Sequence, residues 1–351
     1  MSKFSRLGAV LLAGAAALAM AGGAQAAGKI VISNWDGYMP ADMLERFTAE
    51  TGIEAELAVH ATNEEIMGKV VAGKGRGYDV LFVSSPFVEA LKNLGLVAEL
   101  DHAKIPNLKN LYPEAMDLAY DPGNTVSVPY AWGTTGLCYR ADLVSAAPDS
   151  WMDLLQPAAD LKGKVTMLST DRWLMGAAFL AQGKSVNSTG DAELAAAKDL
   201  LLAAKKDLLA YDDTTFYAKL VSGEASLVHA WDGWCNYGIA EHAEIKYVVP
   251  KEGSDLWVDT IVVTAASENK DAAMKFIDFI LQADNGAWVP ANILYKVPNK
   301  AAMEALDPAL VQQFPNLAMT PAELLKQEQL RDLGAGQKAF SRTVTEILAS
   351  N

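Results

Sequence analysis

Two spacings of apolar residues alternate along this chain, one suited to strands and one to helices. Lys29 to Ser33 reads as a short apolar strand, and Met43, Leu44 and Phe47 then fall on one helical face before Gly52 closes the helix. Ile53 to Val59 alternates apolar with polar residues, as a strand does. Asn63 is expected to cap the next helix, whose buried stripe is Ile66, Val70 and Val71. Tyr78 to Val83 is a nearly continuous apolar strand interrupted by Asp79, and Phe87 to Leu94 is a helix stopped by Gly95. Gly73-Lys74-Gly75-Arg76-Gly77 lacks the ending of a phosphate loop and reads as the turn between helix and strand. This βαβαβ order predicts a mainly parallel sheet covered by helices on both faces.

A second series of the same kind starts at Val165-Thr166-Met167-Leu168. It continues through helices at about Trp173 to Gln182 and Asp191 to Ala204 into a strand from Ser226 to Ala230. Two α/β lobes are therefore expected. Between the two series, the β-prone segment Ser127 to Leu137 would cross from one lobe to the other. The strand Trp257 to Thr264 and the helix Asp271 to Leu281 would return, and Ala291 to Asn299 with the terminal helices would cross back. The lobe assignment is residues 27–134 with 257–301 for the first and 135–256 with 302–351 for the second. A chain of 351 residues exceeds the size at which single cores stop growing, which supports the division.

The first residues change the picture most. Lys3 and Arg6 precede an apolar run from Leu7 to Ala21, and Ala24-Gln25-Ala26 supplies small residues for cleavage. At about 15 residues the run is shorter than the roughly 20 that a bilayer span needs, so residues 1–26 are expected to be a cleaved signal peptide. No later stretch is apolar enough to span, so the product is expected to be exported and soluble. Cys138 and Cys235 would then meet an oxidising compartment. They are read either as a disulfide or as two buried apolar thiols, since geometry decides between these.

With 29 Lys plus Arg against 43 Asp plus Glu, the formal charge of −14 argues against a nucleic-acid partner and suits a cationic ligand. His60, His102, His229 and His242 are too scattered for a metal site and are read as surface or satisfied core residues. HExxH, a Walker loop, GxSxG and GxGxxG are absent, so no catalytic residue, metal or cofactor is predicted. The unusual feature is where the aromatic residues stand. Trp35, Tyr38, Phe87, Trp173, Trp231, Trp234, Trp257 and Tyr295 fall mostly at strand ends or in the turns after them, with Asp36, Asp232 and Asp259 close in sequence to three of the tryptophans. In α/β lobes ligands bind at the carboxyl ends of strands. Aromatic faces attract cations and a carboxylate fixes an ammonium head, so the combination describes an amine-binding cleft.

Several segments carry a family resemblance. These are Ser33-Asn34-Trp35-Asp36-Gly37-Tyr38, Glu50-Thr51-Gly52-Ile53, Tyr78-Asp79-Val80, Pro129 to Thr135, Pro250-Lys251-Glu252-Gly253, Trp257-Val258-Asp259 and Pro298-Asn299. From about Lys29 to about Ile347 the chain resembles the periplasmic spermidine/putrescine-binding proteins of polyamine ABC importers. The resemblance implies a two-lobed periplasmic-binding-protein fold of type II with a ligand cleft between the lobes. It also implies a monomer in the periplasm that passes a small cationic amine to an inner-membrane ABC permease, without being membrane-embedded and without doing chemistry. Carried over, the amine cage would use Trp35, Tyr38, Ser84, Trp231, Trp257, Asp259 and Tyr295, with Asp36, Phe87 and Trp173 as further lining residues.

Three positions depart from the family. Pro86 stands where an aromatic residue is usual, with Phe87 beside it. Thr170 and Trp173 replace an acidic pair, and Gln329 is the candidate for a late glutamine. Fewer cage carboxylates would favour fewer positive centres, unless Asp36, Asp171, Asp213 or Asp232 compensates. The alternatives are a monoamine, a quaternary ammonium of betaine or choline type, or an aminocarboxylate whose carboxylate meets Arg172 or Arg331. A periplasmic enzyme acting on amines is the alternative of a different class.

Overall fold

One long strand joins the two halves of the molecule, as a computed structural model covering residues 28–350 shows. The signal peptide expected at residues 1–26 lies outside the described residues. In chain order the strands are β1 (Ile30–Asn34), β2 (Ala55–Val59), β3 (Val80–Ser84), β4 (Ser127–Arg140), β5 (Val165–Met167), β6 (Leu208–Tyr211), β7 (Leu227–Trp231), β8 (Ile245–Val248), β9 (Asp255–Val263) and β10 (Glu328–Gln329). They hydrogen-bond in the order β2-β1-β3-β9-β4-β7-β5-β6, with β8 on β4 and β10 on β9.

The expected parallel pairings hold within each half: β2, β1 and β3 run together, and so do β7, β5 and β6. The crossing strands β4 and β9 are antiparallel to each other and to β3, β7 and β8, while the short β10 runs parallel to β9. Ser127 to Thr134 of β4 pairs with β9, while Thr135 to Arg140 pairs with β7 and β8, so β4 belongs to both halves. Nearly every β4 residue is buried, which explains why its sequence does not alternate.

Helices follow the strands as the periodicity predicts, beginning with Met43–Thr51 and Asn63–Ala72. Gly52 ends the first of these in the left-handed region, at φ 72°. The second is capped by Thr62 and not by Asn63: the Thr62 hydroxyl accepts from the Glu65 N–H at 3.1 Å. Asn63 is thereby free for a contact described below. Phe47 packs against Phe276 and Phe279 in the first half, and Phe179 against Phe340 in the second. The periodicity missed β6, β8 and the helix Asp232–Glu241, whose two glycines and mixed stripe give a weak helical pattern.

Cys138 and Cys235 form a disulfide, with Cα atoms 5.8 Å apart, that ties β4 to the helix Asp232–Glu241. Among the described residues no helix is long and apolar enough to cross a membrane. His229 is a core residue as expected, but its ring nitrogens have no partner among the described residues, and burial pushes its pKa down to about 3.

Candidate ligand-binding cleft

The sheet register brings one carboxylate to the centre of the molecule. On β9, Asp259 lies opposite Ser84 of β3 on one side and Ala131 of β4 on the other. Ser84 Oγ donates to Asp259 Oδ1 at 2.7 Å, and the Tyr38 hydroxyl donates to Oδ2 at 2.7 Å. Asn63 fastens this corner, donating from Nδ2 to Ser84 Oγ at 3.0 Å and accepting the Ser84 N–H at 2.9 Å. Tyr38 stands in the turn after β1, where Gly37 takes φ 66°, and the Tyr130 hydroxyl holds its carbonyl at 2.7 Å.

Burial raises the pKa of Asp259, and the bonds from Ser84 and Tyr38 work against that rise. Burial first, and then the Asp259 charge, keep the Tyr38 hydroxyl protonated and therefore a donor. Among the described residues no Lys, Arg or His forms an ion pair with Asp259. It is a half-buried carboxylate served by neutral donors, an arrangement that a cation would complete.

Aromatic rings cluster around Tyr38, which binds Asp259. Tyr38 meets Trp35 and Tyr130 at centroid distances of 5.5 Å each and Tyr295 at 6.4 Å, and Trp257 sets its ring across Tyr295 at 5.0 Å. His60 backs Trp35 at 4.9 Å, and burial lowers its pKa to about 4. Two glycines make room for these rings. A Cβ on Gly133 would stand 2.4 Å from Trp257, and one on Gly233 would stand 2.3 Å from Tyr295.

A second aromatic group stands across β4. Trp231, at the end of β7, pairs in register with Thr135 and meets Trp173 edge-on at 5.1 Å. Trp173, in the helix Asp171–Ala181, donates from Nε1 to Asp255 Oδ2 at 3.0 Å, and the Thr135 hydroxyl donates to Oδ1. Asp255 is a carboxylate that the sequence reading passed over. Its signal was available: strand alternation puts Asp255, Trp257 and Asp259 on one face of β9, and Leu256 and Val258 on the other within a hydrophobic cluster.

The other expected residues lie apart from these two groups or are engaged elsewhere. Asp36 is exposed beside Trp35, and Phe87 packs against the Leu81–Val88 hydrophobic cluster, with no aromatic contact to Tyr38 among the described residues. Asp232 is buried but ion-paired with Lys296. Asp171 accepts from the Ser341 hydroxyl at 3.0 Å, and Asp213 accepts the Ser169 N–H at 2.8 Å. Arg331 binds Glu89 through Nε at 2.8 Å, while Arg172 donates to the Arg331 carbonyl at 2.8 Å and to Asn187 at 2.6 Å. Gln329 accepts the Ala119 N–H at 2.9 Å. Surface depressions of about 440 and 410 Å³ lie elsewhere, against Met319 and Lys326 in one case and Ala291 and Leu310 in the other.

Comparison with known proteins gives one consistent result. Residues 42–314 match the model of the family described as bacterial extracellular solute-binding protein. The chain is 31% identical over 352 residues to the spermidine/putrescine-binding periplasmic protein of Escherichia coli, covering 99% of both. It is 34% identical over 362 residues to the putrescine/cadaverine-binding protein of Pseudomonas aeruginosa, again covering 99% of both. Its structure is similar to the spermidine/putrescine ABC transporter substrate-binding protein of Streptococcus pneumoniae, with a TM-score of 0.78, 27% identity, and coverage of 91% and 98% of the two chains.

Proposed function

Because the chain belongs to the bacterial extracellular solute-binding protein family, we propose that it captures a small cationic amine of the putrescine and spermidine kind and delivers it to an inner-membrane ABC permease. The observation that carries this reading is Asp259, a half-buried carboxylate that accepts from Tyr38 and Ser84, with Tyr38 packed into a ring cluster that includes Trp35, Tyr295 and Trp257. An ammonium group would supply its missing charge while the rings take the alkyl chain, through cation–π contact worth about 0.5–2 kcal/mol per ring.

In this reading residues 1–26 are removed on export and the mature protein works as a monomer in the periplasm. The lobes are residues 27–134 with 257–301 and residues 135–256 with 302–351. Closure about the segments that cross between them buries the amine and offers a closed surface to the permease. The protein performs no reaction on its ligand. The engagement of Arg172 and Arg331 by other groups disfavours the aminocarboxylate alternative.

The test is a thermal-shift and calorimetric screen of the chain from residue 27 against putrescine, cadaverine, spermidine, choline, glycine betaine and aminocarboxylates. A ligand bound by the native state alone raises the melting temperature. We expect saturable one-to-one binding of di- or polyamines, recovered unchanged after incubation. Binding confined to betaine, choline or an aminocarboxylate overturns the polyamine reading, and conversion of the amine overturns the transport reading.

A further inference from the structure

We propose that Asp255 is a specificity-determining residue: together with the Trp173–Trp231 ring pair it holds a second cationic nitrogen, so that the cleft selects linear amines charged at two points. The inference rests on the proposed reading of Asp259 as the anchor of the first nitrogen.

Asp255 and Asp259 lie on the same face of β9 with Trp257 between them. Four residues along a strand separate their Cα atoms by about 13 Å, too far for one ammonium to touch both carboxylates. They are two sites on one track, with an indole ring between them as a surface for an alkyl chain. The Trp257 indole N–H has no partner among the described residues, so packing over Gly133 and against Tyr295 positions that ring.

Asp255 is 3% exposed and bonds to neutral donors: the Thr135 hydroxyl, the Ser254 hydroxyl at 3.4 Å and the Trp173 indole at 3.0 Å. Arg172 lies near enough for its charge to feel Asp255, but its Nη atoms are bonded to the Arg331 and Val186 carbonyls and Asn187, and its Nε has no partner among the described residues. Lack of an ion pair does not by itself mark a ligand site. Asp79 is also buried and is served by the Val31 N–H at 2.8 Å and the Ser267 hydroxyl at 2.6 Å, as a strap between segments at the start of β3.

Asp255 differs from Asp79 in its position. It shares a strand face with Asp259, and one of its donors is a half-buried ring that meets a second half-buried ring edge-on. A carboxylate accepting the indole N–H draws positive charge from that edge and leaves the ring face richer in electrons. The face then attracts a cation more strongly, with Asp255 behind it as counter-charge. Trp173 and Trp231 are accordingly the contact surface, and Asp255 acts through Trp173 as a positioning and charge-supplying residue.

The experiment compares putrescine with n-butylamine, the same carbon chain carrying one nitrogen, by calorimetry on the mature protein and on Asp255→Asn. The intact protein is expected to bind putrescine about tenfold or more tightly than butylamine, a difference of about 1.4 kcal/mol. In Asp255→Asn, which keeps the size of the side chain, that ratio falls to within about threefold of unity. Trp173→Phe, which keeps a ring and removes the donor, lowers the ratio by a smaller factor. A ratio in Asp255→Asn equal to that of the intact protein overturns the proposal. A ratio near unity in the intact protein does so too, without need of any variant. If the intact protein binds butylamine and putrescine equally, the amine-binding reading stands and this inference falls. If it binds neither, both fall.

Discussion

Asp232 and Asp259 flank the same aromatic rings, yet their surroundings solve opposite problems. Burial, followed by the charges of Asp232, Tyr237 and Asp259, pushes the Tyr295 hydroxyl well up. Asp232 is fully buried at the start of the helix Asp232–Glu241 and is neutralised by Lys296, itself 2% exposed, from a segment 64 positions away. Asp259 meets the hydroxyls of Tyr38 and Ser84 and no cation among the described residues. A carboxylate beside a tryptophan therefore does not announce a ligand. Its role depends on whether the fold supplies the opposite charge, because a buried ion without one is costly.

The largest effect that would sharpen this contrast comes from Lys296→Met. It leaves Asp232 buried and unpaired and should cost about 3–5 kcal/mol of folding stability by urea denaturation. A loss below about 1 kcal/mol would mean that the two carboxylates do not differ in this way. Next comes Asp259→Asn, which should weaken putrescine binding by about 30- to 1,000-fold in calorimetry, the usual cost of breaking a buried charge contact. Its unliganded melting temperature should hold or rise, since an isosteric amide replaces an anion that burial opposes. A fall of several degrees with affinity retained would make Asp259 structural.

Tyr38→Phe keeps the ring and removes one donor, so affinity should drop by about five- to tenfold, in line with roughly 1 kcal/mol for such a bond. The smallest effect is that of pH. An ammonium binds the ionised form of Asp259, whose pKa burial raises, so affinity should decline as pH falls through that raised value, by no more than about tenfold per unit for one proton. His60, held down to about 4 against an ordinary value of 6.5, adds a loss of stability as pH falls across that window, because the unfolded chain takes up the proton first. Affinity that rises on acidification would contradict the ionised-carboxylate reading.

Most of the architecture was legible in the sequence because its signals are local. Met43, Leu44 and Phe47 declare a helix face by spacing alone, and the run from Tyr78 to Val83 declares a buried strand. The placement of Trp35, Tyr38 and Trp231 at strand ends or in the turns after them was legible for the same reason, whereas Trp257 stands inside β9; the structure joins Tyr38 to Asp259, Trp257 to Tyr295 and Trp35 to Tyr38. Less legible were weakly patterned elements such as the helix Asp232–Glu241 and the four-residue strand β8. Asn63 illustrates the limit well. Its type suits a helix cap, but Thr62 takes that place and Asn63 turns to Ser84, 21 residues away.

Local patterning carries most of the strand and helix order, the crossing segment Ser127 to Leu137 and most of the rings and acids at the candidate site, but not β6, β8, the helix Asp232–Glu241 or Asp255. Periodicity and residue type belong to each segment and survive without knowledge of its neighbours. Packing settles which acid is neutralised from within, that Cys138 meets Cys235, and that Asp255 lies beside the Trp173–Trp231 pair. Charge compensation and covalent bridging depend on which distant segments approach within a few ångströms, and that is set by the packing of the whole chain.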